Sequence, residues 1–516
     1  MQVFRYILFL LMAKFIFRRC QHQYIETSKV YLINTIRVDL YQTLIERILA
    51  FNLARRGANV YQLIDDGCLK HFDSLQESDL LKLKNTYSSK LYRWVRNKFI
   101  RYIIQTCINH KNIVTINVSD VYHDAGGDIE KVVLTKTQIN HVISSCRRFS
   151  SKDEILSKDN PHEYYLSSIY NAKIMHIVAL RLLESYRFDK VISSHGIYVS
   201  WGILHDHFSS MNIETAVISK SPYRVNTFYL NRSALQKIHL DYSESEILEK
   251  YSWHEIESCV AEFFKNRLTF SSPDLHTFRN GEDFNEHISV ATDPEIKTIL
   301  MFPNVVWDGA IEERNILFES IQSWVVETIQ HFKGSKDRLI IRFHPAEVTM
   351  FKGTESLEHL IRQKVEDIDC YENILLIPSS SKVNSYQLIS EAADMVLVYD
   401  GVIAMEATEL NVPVITAALA RYSSAIFSYA PTSKRQYFEF IDNCERISAV
   451  FIERQNAIRQ SLYAYTFWLN EILQKHFPYS SLDFNRIKGM SGRICEFDET
   501  YNTDLSKTIN CLVDLK

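Results

Sequence analysis

Five short apolar runs, separated by helix-length stretches, restrict what this chain can fold into. They are residues 297–302, 338–342, 373–377, 395–399 and 413–416. Between them, 311–332, 355–365, 385–393 and 403–410 carry helical patterning. Strands spaced this way cannot close as hairpins. They need helical crossovers, and crossovers make parallel neighbours. The second half of the chain is therefore expected to be a doubly wound α/β sheet.

The first half repeats the theme less clearly. Residues 30–34 read as a strand and 40–56 as an amphipathic helix with Leu44, Ile48, Phe51 and Leu53 near one face. Gly57 ends that helix, and 59–64 is the next strand. A helix over 165–188, a strand over 190–194, a helix over 199–208 and a strand over 214–219 follow. Residues 234–268 read as helical throughout. The stretch 271–287, with Pro273 and Gly281, reads as a linker. The division expected is an apolar, basic segment over 1–27, Rossmann-like domains over 28–285 and 286–450, and a helical tail over 451–516.

Bulk properties exclude several classes. The 516 residues are enough for more than one core. With 58 basic and 62 acidic residues, net charge −4, no electrostatic footprint for nucleic acid exists. The nine cysteines are odd in number and contain no C-x-x-C pair, which argues against a disulfide framework or structural zinc. A reducing, cytoplasmic setting fits. Residues 3–17 are apolar, interrupted by Arg5 and Lys14 and followed by Arg18 and Arg19. This run is shorter than a membrane span. It reads either as a peripheral contact with the inner face of the cytoplasmic membrane or as a helix packed on the protein body.

Open parallel sheets bind ligands beyond the carboxyl ends of their strands. In the second half those loops carry Asn304, Trp307 and Asp308; Arg342, His344 and Glu347; Ser385 and Tyr386; Gly401 and Val402; and residues 417–422. At the fourth loop a strand ends at Tyr399 and a helix begins just after Gly401, so backbone N–H groups and a helix dipole would face an anion such as a diphosphate. Glycine there permits close approach. Glu406, on the same helix, is placed to accept from ribose hydroxyls. Asp400 reads as the helix N-cap. Asp367-Ile-Asp369 has the form of a metal-binding D-x-D but precedes a strand, away from the ligand end, and reads as a solvated turn.

The run Glu406-Ala407 to Asn411, Pro413, Val414 and Ile415 resembles the E-A-x-x-x-[G/N]-x-P-V-I donor signature of GT-B glycosyltransferases, with Asn411 where glycine is usual. Together with an N-x-x-W-D loop at Asn304 to Asp308 and an R-x-H-P loop at Arg342 to Pro345, it resembles bacterial capsule and surface-polysaccharide biosynthesis transferases. The resemblance covers about residues 301–437. It implies two Rossmann-like domains with an interdomain cleft, the first for the acceptor and the second for a nucleotide-sugar donor. It also implies metal-independent transfer to a growing surface glycan or lipid-linked glycan, with the nucleotide sugar as co-substrate and no bound cofactor.

The roles that follow are alternatives in several cases. Arg342 would contact diphosphate oxygens. His344 would donate there or order its loop. Trp307 would stack on a base or sugar or belong to the core. Asp308 would cap a helix, and Glu347 would bind a sugar hydroxyl or pair with Arg342. The general base is either His195 or Asp39, both at first-domain strand ends. Two other readings stay open: a CDP-polyol phosphate transferase of teichoic-acid type, and a non-catalytic glycan-assembly protein on the same fold.

Overall fold

A computed structural model describes residues 27–36, 40–70, 101–124, 129–150, 163–220, 227–272, 293–307, 312–349, 356–476, 497–500 and 502–514, with a few isolated positions besides. The apolar segment 1–27 lies outside the described residues, apart from Leu11, Lys14 and Thr27. Among the described residues no helix is long and apolar enough to cross a membrane. The chain divides into two compact units: Met1–Phe149 with Leu156–Leu235 and Leu473–Lys516, and Ser150–Ile155 with Gln236–Ile472.

In the first unit the main sheet contains β1 (Val30–Thr35), β2 (Asn59–Ile64), β3 (Ile113–Asn117), β4 (Lys190–Ser194), β5 (Glu214–Lys220) and β6 (Thr227–Asn231). β3, β2, β1, β4 and β5 lie side by side in that order, all parallel. β6 and the short strand Gln474–His476 extend the sheet antiparallel. The parallel part has the 3-2-1-4-5 order of a Rossmann-like sheet.

Helix α1 (Leu40–Arg55) follows β1. Its periodicity suggests one apolar face, yet every residue from Thr43 to Arg56 is buried. The C-terminal segment explains this. Phe497, Leu505, Ile509 and Leu512 share a core cluster with Leu44, Ile48 and Phe51. The polar residues of α1 and of its end are buried with partners. Arg47 bonds the Ile108 and Gln105 carbonyls, Gln62 and Asn109. Arg56 Nε bonds both oxygens of Glu499, at 3.0 and 2.9 Å, and Arg55 pairs with Asp498. The end of the chain, expected as part of a separate helical tail, thus returns to the first unit.

The division between the units falls at Leu235 and Gln236, ahead of the 271–287 stretch read as a linker. The 234–268 stretch is also not one helix. It breaks into a 3-10 helix (Leu235–Asp241) and helices Glu244–Lys250 and α2 (Trp253–Leu268). Ser243 and Ser252 accept the N–H groups of Glu246 and Glu255 and so start new helices.

In the second unit the strands are β7 (Thr298–Phe302), β8 (Arg338–Arg342), β9 (Ile374–Ile377), β10 (Met395–Val398) and β11 (Val414–Thr416). They order as β9-β8-β7-β10-β11, all parallel, again 3-2-1-4-5. The longer helices between these strands are α3 (Ile321–Phe332), α4 (Leu357–Lys364), α5 (Ser385–Ala392) and α6 (Ile403–Glu409). Ile299, Met301, Leu339, Ile341, Met395 and Leu397 pack with α3 and α4 in one core. Their strand neighbours Leu300, Ile340 and Val396 are equally buried on the other face, as a doubly wound sheet requires. α3 begins at Ile321, ten residues later than its pattern suggests, because Ser320 and Ser323 close a reciprocal cap. α6 ends as the sequence implies: Asn411 takes φ +63°, and the Val412 N–H reaches back to the Ala407 carbonyl.

Candidate functional site

The 3-2-1-4-5 order changes direction between β7 and β10. Crossovers leave these two strands toward opposite faces, opening a crevice at their carboxyl ends. Asn304 follows β7, and its side-chain oxygen accepts the Asp400 N–H at 3.3 Å. A methyl group added to Gly401 would lie 3.9 Å from that oxygen and 3.3 Å from the Ile403 side chain. Asn304, Gly401 and Val402 are thus brought together at the switch point.

Asp400 is not a helix cap. Val402 occupies the N-cap position of α6, without a side-chain cap bond. Asp400 is instead fully buried and pairs with two arginines. Arg314 binds Oδ2, while Arg421 gives its backbone N–H to Oδ1 at 2.7 Å and Nη2 to Oδ2 at 3.1 Å. Burial pushes this carboxyl up, but Arg314 and Arg421 outweigh it and hold it below the usual carboxylate range. The Tyr422 hydroxyl then ties the final loop to the Gly401 carbonyl at 3.1 Å.

Arg342 ends β8 and is 3% exposed. Its Nη1 donates to the Phe343 and Pro378 carbonyls and Nη2 to the Ser381 carbonyl, each at 2.7 Å. Nε has no partner. Burial pulls its pKa down to about 10. Two of its donors therefore hold the 378–381 loop, and a third binds the carbonyl that follows its own strand. Glu347, also buried, accepts from the Ser379 hydroxyl at 2.6 Å and the Leu357 N–H at 3.3 Å, and burial raises its pKa. It braces the same loop and does not pair with Arg342 by hydrogen bond. His344 Nδ1 accepts the Ala346 N–H at 3.1 Å, which orders the turn after β8.

Glu406 is 2% exposed. Oε1 receives Arg267 Nε and, at 2.9 Å, the Tyr386 hydroxyl. Arg267 also binds Asp274 at 2.7 Å, and Phe270 stacks on Tyr386 with ring centres 4.9 Å apart. Burial, then the Glu406 charge, raises the Tyr386 phenol well above its ordinary value. Ser385 opens α5, whose cap is Asn384: its Oδ1 accepts the Tyr386 and Gln387 N–H groups. Trp307 is buried in the α3-side core. Asp308 and Asp39 lie outside the described residues. Asp367 and Asp369 act separately, the first on Lys333 and Tyr371, the second on Arg362.

His195, in the first unit, sits in the left-handed region at φ +56°. Ser194 Oγ is 2.7 Å from Nδ1, and the ring stacks on Trp201. Gly196 follows at φ +65°, where a Cβ would meet Ala234 Cβ at 2.8 Å, so only glycine fits this corner.

Sequence reasoning did not single out Arg314, Arg421 or Arg267. Arg314 falls in residues read as helix, and Arg267 near the end of α2, far in sequence from its partner. Arg421 lies in the fifth strand-end loop, and its position there was the one available signal.

The sequence matches no protein-family model and no curated protein. Among solved structures, the β-Kdo 2,4 transferase of Thermosulfurimonas dismutans KpsC is similar at 11% identity and TM-score 0.39, over 60% of this chain and 87% of that one. CalG4, the calicheamicin glycosyltransferase, is similar at 12% identity and TM-score 0.25, over 85% and 95%. A UDP-GlcNAc 2-epimerase from Neisseria meningitidis, bound to UDP-GlcNAc, is similar at 11% identity and TM-score 0.21, over 86% and 99%.

Proposed function

We propose that this chain is a glycosyltransferase that binds a nucleotide-sugar donor at the carboxyl end of the second unit's sheet and extends a surface glycan. One observation carries the reading: Asn304, Gly401 and Val402 converge at the switch point of a 3-2-1-4-5 parallel sheet. The ordered loops at Asn304, Arg342 and Glu406, with their resemblance to polysaccharide transferases, support it.

In this reading the diphosphate lies over Gly401 and Val402, with Asn304, Asp308 and Ser385 around it. Arg342 and His344 form the wall beside it, and Glu347 holds that wall in place. Glu406 and Tyr386 meet the ribose, with Arg267 surrendering part of its hold on Glu406. Trp307 supports the loop from beneath. His195 takes the proton of the acceptor hydroxyl. In the tautomer that gives Nδ1–H to Ser194 Oγ, Nε2 is its basic nitrogen. Asp39 is the alternative base.

The test is thermal protection and donor turnover across UDP-, GDP-, dTDP-, CDP- and CMP-linked sugars. Protection by one nucleotide class, weakened in Asn304→Ala, supports the reading. If no nucleotide protects the wild-type chain, it fails. Phosphorus in the new linkage would redirect it to polyol-phosphate transfer.

A further inference from the structure

A buried polar atom without a partner calls for an explanation, and a bound group is one. Four such atoms belong to two segments of the second unit that a hydrogen bond joins. Gln236 is 2% exposed, and among the described residues neither its amide oxygen nor its amide nitrogen has a hydrogen-bond partner. Nδ1 of His239 and the hydroxyl of Ser423 are in the same condition. Gln236 and His239 stand three apart on the 3-10 helix Leu235–Asp241, where such side chains eclipse.

The Ser424 hydroxyl donates to the His239 carbonyl at 2.8 Å, which seats the turn carrying Ser423 against this helix. The same turn contains Arg421 and Tyr422, which hold Asp400 and the Gly401 carbonyl. His239 lies within reach of the Arg314 and Asp400 charges. The two segments that carry the four atoms are therefore tied to the residues that follow β10.

Their chemistry selects a ligand class. An amide offers one acceptor and two donors, a serine hydroxyl offers both, and so does a neutral imidazole. Burial, with Arg314 adding to it, lowers the His239 pKa and keeps its ring neutral at pH 7. A phosphate would require donors alone, and the Gln236 oxygen would repel it. The two arginines nearby are engaged with Asp400. Groups that both give and accept hydrogen bonds match sugar hydroxyls.

We propose that Gln236, His239 and Ser423 form the subsite for the hydroxyl groups of the sugar carried by the donor. The inference rests on the reading of the second unit as a nucleotide-sugar site. It explains why a buried amide with no partner is kept: the amide is satisfied only when the sugar is present.

The experiment uses the full chain, the nucleotide sugar that protects it, and the corresponding free nucleotide. Gln236→Leu should raise the melting temperature of the ligand-free protein, because an unsatisfied amide leaves the interior. It should weaken the apparent affinity for the nucleotide sugar about tenfold while keeping that for the free nucleotide within about twofold. Ser423→Ala, a smaller change, should show the same split and carries the test if Gln236→Leu does not fold. Equal weakening for both ligands would overturn the assignment in favour of a nucleotide contact. Unchanged affinity for both in either variant would overturn it outright. A wild-type chain protected by no nucleotide would sink the donor reading itself and this subsite with it.

Discussion

Asn304 accepts the Asp400 N–H at 3.3 Å and so bridges the ends of β7 and β10, the two strands between which the second sheet reverses direction. Asp400 itself is anchored by Arg314 and Arg421. Asn304 thus bonds to a buried residue held by two ion pairs, an arrangement that holds the two strand ends together.

Asn304→Ala tests the hydrogen bond in this arrangement. It removes one hydrogen bond, worth about 1 kcal/mol, so the melting temperature should move by only a few degrees. Nucleotide protection should fall much further. Protection equal to that of the wild type would move the site away from the switch point.

Asp400→Asn tests the ion pairs. It leaves the buried Arg314 without its counter-charge, and a loss of about 3–5 kcal/mol is expected in denaturant unfolding. The pH dependence has a definite sign. The folded pKa of Asp400 is depressed by Arg314 and Arg421, which outweigh burial. Its contribution is therefore complete above the unfolded value of about 3.9 and is lost as pH falls through the folded value. The gap between wild type and Asp400→Asn should be constant from pH 5 to 8 and should close in stronger acid.

The fold of the second unit is legible in the sequence because five strand periods and four helix periods alternate there without interruption. The first unit is less so. α1 reads as amphipathic, since its own pattern cannot show that residues more than 440 positions away, from Phe497 onward, cover its outer side. The site divides in the same way. That Gly401 and Asn304 lie in loops at strand ends is readable from local pattern. The roles of Arg267 and Arg314 are not, because each is defined by a carboxylate distant in sequence: Arg267 by Glu406 and Arg314 by Asp400. For Glu406 the pattern shows a carboxylate on the right helix but not that it is already paired.

Glu347 should respond to pH in the opposite sense from Asp400. Burial raises its folded pKa, so its favourable contribution is present below the unfolded value of about 4.3 and is lost as pH rises through the folded value. Glu347→Gln mimics the protonated form and can keep both the Leu357 and Ser379 contacts. Its melting temperature should match the wild type near pH 4 and exceed it near pH 7.5. A lower melting temperature at the higher pH would mean that the ionised carboxylate is what the loop needs.

Arg342→Lys separates two roles for this side chain. A lysine has one ammonium head and cannot reach the Phe343, Pro378 and Ser381 carbonyls together. A loss of about 2–4 kcal/mol is expected, with faster proteolysis within 378–384. Should the folded variant still bind nucleotide like the wild type, Arg342 serves only as the brace of that loop, and diphosphate contact passes to other groups.

Removal of residues 497–516 probes the part of the first unit that the sequence least reveals. Phe497, Leu505, Ile509, Leu512 and Val513 are buried in the core around α1. At about 1.5–3 kcal/mol for each large apolar side chain, their burial is comparable to the whole net stability of a domain, about 5–15 kcal/mol. The truncation would also expose α1 and leave Arg55 and Arg56 without Asp498 and Glu499. The truncated chain should therefore lose the cooperative transition of the first unit and bind a hydrophobic dye. Glu499→Gln, a milder change in the same place, should keep the transition but lower its midpoint. If the truncated chain melts like the full one, the C-terminal segment is an accessory to α1 rather than part of its core.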